Sequence, residues 1–152
     1  MTQIELKTVI TGLVEDVFET SRSIDFHVQS AAKTQEKAIA GVTSGPIGLG
    51  QSVTWRGKHF GLFLTHTSKI VEMVKNQSFT DVMTQGHFTY FVHQHRFRQE
   101  GIKVIMYDKL QYKVPYGFLG RVIDSLFIKP HLSNFITERN NHIKSYIEKS
   151  AT

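Results

Sequence analysis

Apolar and polar side chains alternate along residues 3–10 and again along six runs near 34–41, 51–59, 62–75, 79–85, 87–99 and 102–114, the period-two pattern of half-buried strands. The intervening breaks, TSGPIGLG, Phe60-Gly61, Asn76-Gln77, Gln85-Gly86 and Glu100-Gly101, carry turn residues. Between the first strand and the rest the period lengthens. Val14, Val17 and Phe18 share one face of a helical stretch at 12–20, and Ile24 and Val28 one face of a second at 22–29. From 116 to 149 the period is helical again, through Leu119, Val122, Ile123, Leu126, Leu132, Phe135, Ile136, Arg139, Ile143, Tyr146 and Ile147. A helix of about 33 residues would be about 50 Å long, wider than the domain, so Pro130 is expected to break or kink it. One strand, two small helices, six antiparallel strands and a long C-terminal helix predict an α+β fold, with the helix covering one face of a curved seven-stranded sheet.

The last two strands are the most informative. A tight turn at Glu100-Gly101 would set Gln99 opposite Ile102, Phe97 opposite Val104, His95 opposite Met106, His93 opposite Asp108, Phe91 opposite Leu110 and Thr89 opposite Tyr112, all on one face. That face mixes Phe91, Phe97, Val104, Met106 and Leu110 with His93, His95, Asp108 and Tyr112. Polar groups in an apolar wall are costly unless they pair with each other, with water or with a ligand, so the wall reads as a small-molecule pocket. An odd-length turn would exchange the partners while leaving the alternation intact. By the same parity Val53, Trp55 and His59 face inward on one neighbouring strand, and Phe79, Asp81 and Met83 on another.

Composition narrows the picture. At 152 residues the chain fits one domain, residues 1–152, large enough for a core without staples. It has no Cys, hence no disulfide and no thiolate chemistry. The start MTQIELKTVI alternates where a leader would be charged and then apolar, and no apolar run reaches spanning length, so a soluble cytoplasmic protein without stable membrane insertion is expected. The net charge of +5 is scattered along the chain, which does not suggest a nucleic-acid partner. The outer sheet face combines Arg96, Arg98, Lys103 and Lys109 with Tyr90 and Tyr107. We read it as a solvated face, with an interaction module as a lesser alternative.

Specific strings add to this reading: VFETSRSIDFHVQS over the small helices, TSGPIGLG, VTWRGKHFG, FTDVMTQGHF, the HQHRF strand, and YDKLQYKVPYGFLG before the final helix. Together they resemble the SRPBCC or START-like superfamily, which includes the birch pollen allergen, lipid-transfer START domains and polyketide aromatase/cyclases. Within it the chain is similar to small stand-alone bacterial members labelled polyketide cyclase or cell-division-related. The resemblance implies a helix-grip fold, with a deep cavity for a hydrophobic ligand between the concave sheet and the long helix. The glycine-rich TSGPIGLG lacks a Gly-Lys-Ser/Thr ending and leads into a strand, so it reads as a mobile rim and not a phosphate loop.

Two functions follow as expectations. In the preferred one the chain carries or senses a lipid-, polyketide- or aromatic-like molecule, with Trp55, Phe91, Phe97, Met106 and Leu110 in apolar contact and His93, His95, Asp108 and Tyr112 orienting it. In the alternative it is a cofactor-free cyclase or dehydratase. His93, oriented by Asp108, would then act as general base, and Tyr112 would polarise a carbonyl. No cofactor is called for. His93, His95 and Glu100 approach a cupin-type His-x-His-x4-Glu spacing, but Glu100 falls in the turn, and a metal on His93, His95 and Asp108 ranks below hydrogen-bonded cavity histidines. His27, His66, His87, His131 and His142 receive no role.

Overall fold

The computed structural model describes residues 1–150. Its strands are β1 (Thr2–Thr11), β2 (Lys37–Gly41), β3 (Ser52–His59), β4 (Leu62–Val74), β5 (Ser78–Gln85), β6 (Tyr90–Glu100) and β7 (Lys103–Lys113). Helices α1 (Val14–Ser21) and α2 (Ile24–Ser30) follow β1, and a continuous helix closes the chain as α3 (Gly117–Ile123), a π-wound turn (Asp124–Ile128) and α4 (Lys129–Ser150). The sheet order is β1-β7-β6-β5-β4-β3-β2, antiparallel throughout. This is the expected α+β architecture. The second strand, expected near 34–41, differs at its start, where Ala32–Thr34 form a 3-10 turn and pairing begins only at Lys37. Register shifts in β4, between Thr67 and Ser68 and between Ile70 and Glu72, mark irregularities of the kind that bend a strand. No helix among the described residues is long and apolar enough to cross a membrane.

The β6–β7 register corrects the sequence expectation. Gln99 pairs with Val104, Phe97 with Met106, His95 with Asp108, His93 with Leu110 and Phe91 with Tyr112, a slide of two residues. The central turn residues are Gly101 and Ile102, with positive φ (59°) at Gly101, the sign pattern of a type II′ turn, which requires glycine at its first central position. A slide of two preserves parity, so every inward residue stays inward while every partner changes.

The core has two apolar clusters. In one, α1 seats Val17 and Phe18 against Phe79, Phe97, Val104 and Met106; in the other, Ile4, Leu110, Tyr112 and Ile136 pack together. Within α4 the buried residues Ile136, Arg139, Asn140, Ile143 and Ile147 recur at helical spacing. The apolar residues earlier in the helix do not continue that face: Leu119 and Leu126 are each 63% exposed. Nor does Pro130 break the helix. The winding widens over Asp124–Ile128, just before Pro130, where a missing N–H and the proline ring would otherwise disturb the preceding turn. Asp124, the first residue of the wide turn, is buried and accepts hydrogen bonds from Tyr112 Oη (2.6 Å) and Thr2 Oγ1, tying the helix to β7 and β1.

A second buried carboxylate fastens α4. Asp108 Oδ1 accepts from His93 Nε2 (2.8 Å) and Arg139 Nη2 (2.9 Å), and Oδ2 from Asn140 Nδ2 (2.7 Å). Burial would raise its pKa, but the Arg139 guanidinium and the neighbouring histidines hold it well below the usual carboxylate range. Asp108→Asn leaves a buried guanidinium without its counter-ion and should lower stability by about 3–5 kcal/mol in urea unfolding at neutral pH. Glu100→Gln, in an exposed pair with Arg98, should change it by no more than about 0.5 kcal/mol. A carboxylate with a depressed folded pKa stabilises above its unfolded value and loses that contribution as pH falls, so the variant should also be less sensitive to acid below about pH 4 than the parent. Equal midpoints for both substitutions would refute the clamp.

Candidate functional site

Between the concave sheet and the final helix lies a cavity of about 650 Å³. Of the residues singled out from sequence, Trp55, Phe91, His93, His95 and Leu110 line it, as do Val53, His59, Phe79 and Asp81. Phe97 and Met106 do not. They share the concave face but lie under α1, where Phe97 meets Phe18 edge-on at 5.5 Å. Alternation assigns a side chain to a face and leaves open which element covers it. Asp108 sits behind the two histidines, and Tyr112 turns to Asp124, so neither forms the wall. Met83 is also absent from the lining.

The inner polar group joins five residues, Asp81, His93, His95, Asp108 and Arg139. His93 and His95 project from β6 with ring centroids 3.8 Å apart, and Phe79 stacks on His95 at 4.1 Å. His95 Nε2 donates to Asp81 Oδ2 (2.8 Å) while its Nδ1 lies 3.4 Å from Asp108 Oδ1. Burial opposes charge on both rings. Its effect is reversed in His95, whose pKa is raised by the two carboxylates, but prevails in His93, which also faces its neighbour's charge and is lowered. Asp81 and Asp108, both held below the ordinary carboxylate value, thus face Arg139 and two rings, of which the surroundings favour the charged form of His95 and the neutral form of His93. Asp81, His93 and His95 present possible metal-ligand atoms within 4.8 Å of one another, so Asp81 takes the place that the sequence reading gave Asp108. Both Nε2 atoms of that trio already hydrogen-bond to carboxylates.

A second polar group was not assembled from sequence, which placed only its member His59 inward. Glu36, just before β2, is buried against the cavity with His27 of α2, His59 of β3 and His131 of α4. His59 Nδ1 and His131 Nε2 share a hydrogen bond of 2.8 Å, and His27 lies tilted against Trp55, ring centroids 4.1 Å apart. The available signal was Gly57, a glycine inside the strand string VTWRGKH, which marks a close approach. A Cβ there would lie 1.9 Å from Glu36 Oε2. Around the mouth Phe60, Tyr116 and Phe127 line the cavity while remaining largely exposed.

No protein-family model matches the chain, and no curated protein matches its sequence. Solved structures match its shape over almost its whole length. A Thermus thermophilus protein superposes with a TM-score of 0.80 at 11% identity, covering 99% of this chain and 100% of its own. An aromatase/cyclase from a Streptomyces species gives 0.77 at 10% identity, covering 99% and 96%. A START superfamily protein from Mycobacterium smegmatis gives 0.73 at 11% identity, covering 97% of each. At these identities the likenesses establish the fold: the seven-stranded antiparallel sheet with two helices after β1 and a long C-terminal helix is the helix-grip architecture that this chain shares with START superfamily and aromatase/cyclase structures.

Proposed function

We propose that this chain binds a hydrophobic small molecule, lipid-, polyketide- or aromatic-like, between its sheet and C-terminal helix, for carriage or sensing. The carrying observation is the cavity itself. Its volume of about 650 Å³ falls within the range of small-molecule sites, and Trp55, Phe79, Phe91, Leu110 and Phe135 give it an apolar wall with polar groups at fixed points. The START superfamily and aromatase/cyclase neighbours support the reading through their shared fold. Leu110→Arg should abolish the fluorescence gain of a neutral apolar dye such as Nile red. Lys109→Ala, on the opposite sheet face, should leave it nearly unchanged. Equal loss from both, with folding intact by circular dichroism, would count against the cavity as the binding site.

One observation favours a cofactor-free cyclase or dehydratase as a second reading. Asp108 fixes the Nε2–H tautomer of His93, and among the described residues no group hydrogen-bonds its Nδ1. A neutral imidazole so oriented is a competent general base. Tyr112 has no part in this version, because its hydroxyl is committed to Asp124 and both burial and that carboxylate raise its pKa. Histidine NMR titration should find His93 protonating below 6.5 and His95 above it, on opposite sides of their common ordinary value. The reverse order would remove the base. Turnover of a poly-β-carbonyl thioester that vanishes in His93→Ala would establish the enzyme reading; no turnover by the parent protein would leave binding alone.

A further inference from the structure

The second polar group contains a buried anion whose acceptor sites are incompletely used. Glu36 is 9% exposed, and its Oε2 has no hydrogen-bond partner; nor does His27 Nε2, which lies 3.9 Å from Oε1. His59 Nε2 stands 3.4 Å from Oε2, an ion-pair distance but a poor hydrogen bond. Neither ring is free to close the gap. His59 is held through Nδ1 by His131, and His27 lies against Trp55.

The chain nevertheless makes room for this carboxylate. The bare Cα of Gly57 admits Oε2, which any larger residue would displace. Burial would favour the neutral acid, yet the two adjacent imidazoles hold Glu36 to a pKa of about 2, so it is ionised at neutral pH. The other cavity-lining ions are engaged elsewhere: Arg139 with Asp108, His95 with Asp81, and Arg22 with Glu19 and the Ile47 carbonyl. A buried carboxylate short of donors is stabilised by a donor from the cavity's occupant, and an anionic occupant would be repelled by it.

Resting on the binding function proposed above, we infer that Glu36 recognises the polar end of the ligand, and that this end is a hydrogen-bond donor, a hydroxyl or an ammonium, and not a carboxylate or phosphate. The ligand is then an apolar alcohol, phenol or amine. Its donor lies at Glu36 between His27 and His59, and its apolar body extends along Trp55, Phe79 and Leu110.

The test compares ten-carbon probes of equal length, 1-decanol, decylamine and decanoate, as competitors of Nile red, with Trp55, the single tryptophan, as an intrinsic reporter. With the parent protein, decanol and decylamine should displace the dye at concentrations about tenfold or more below that required for decanoate, the scale of one charge-assisted hydrogen bond. Decylamine ahead of decanol would identify the amine as the better head group, and the converse the hydroxyl. In Glu36→Gln the advantage over decanoate should shrink to within about threefold. Gly57→Ala, which displaces the carboxylate without removing it, should act in the same direction. Decanoate equal to or better than the donors in the parent protein would overturn the inference, as would an unchanged preference in a folded Glu36→Gln or Gly57→Ala protein. Failure of Nile red and all three probes to bind would instead overturn the binding function itself.

Discussion

The packing of the long helix on the sheet depends on one buried carboxylate. Asp108 is 2% exposed and takes hydrogen bonds from β6 and from two successive residues of α4, with Arg139 supplying the counter-charge. A buried anion is tolerable only when its partners are in place, so its geometry restricts how α4 can slide or roll. The apolar residues around it, Ile136 and Ile143, would tolerate small displacements; the fork of donors would not. The cavity lies on the N-terminal side of this attachment, where Phe127, His131, Phe135 and Arg139 of the helix face it.

Fixing the helix also fixes the chemistry of the wall. Asp108 orients His93, whose neutral form burial favours, and together with Asp81 it favours the charged form of His95 two residues away. Sequence-adjacent inward histidines thus acquire opposite character from their surroundings. The far side is built differently, with Glu36 crowded by imidazoles that are already held by other rings. At one end the carboxylates are partnered within the protein, and the other offers acceptor capacity to whatever enters.

Element order and strand faces were legible because both rest on periodicity, which survives local error. Partners across β6 and β7 were not, because they depend on which two residues make the turn, and Gly101 occupies the first central position. Phe97 and Met106 had the right parity, but the covering element at their end of the strands is α1, a tertiary fact that alternation does not encode. Glu36 fell inside the run read as a strand at 34–41, but it lies in the short irregular connection before β2, where alternation assigns no face. Its one trace in sequence is the missing side chain of Gly57 on another strand.

The π-wound turn has a consequence in screw phase. Each residue of an α-helix advances it by about 100°, so one extra residue in a turn rotates everything upstream by about that angle relative to everything downstream. Counted back from Ile136 with uniform α-winding, Phe118 and Val122 would point toward the sheet and Asp124 away from it. With the wide turn, Gly120 and Asp124 are the residues buried, and Phe118 is 74% exposed. The inward face of the first helical turns is therefore set by a count of residues as much as by their identity. Removing one residue from the wide turn would exchange a polar anchor for an aromatic plug at the mouth of the cavity.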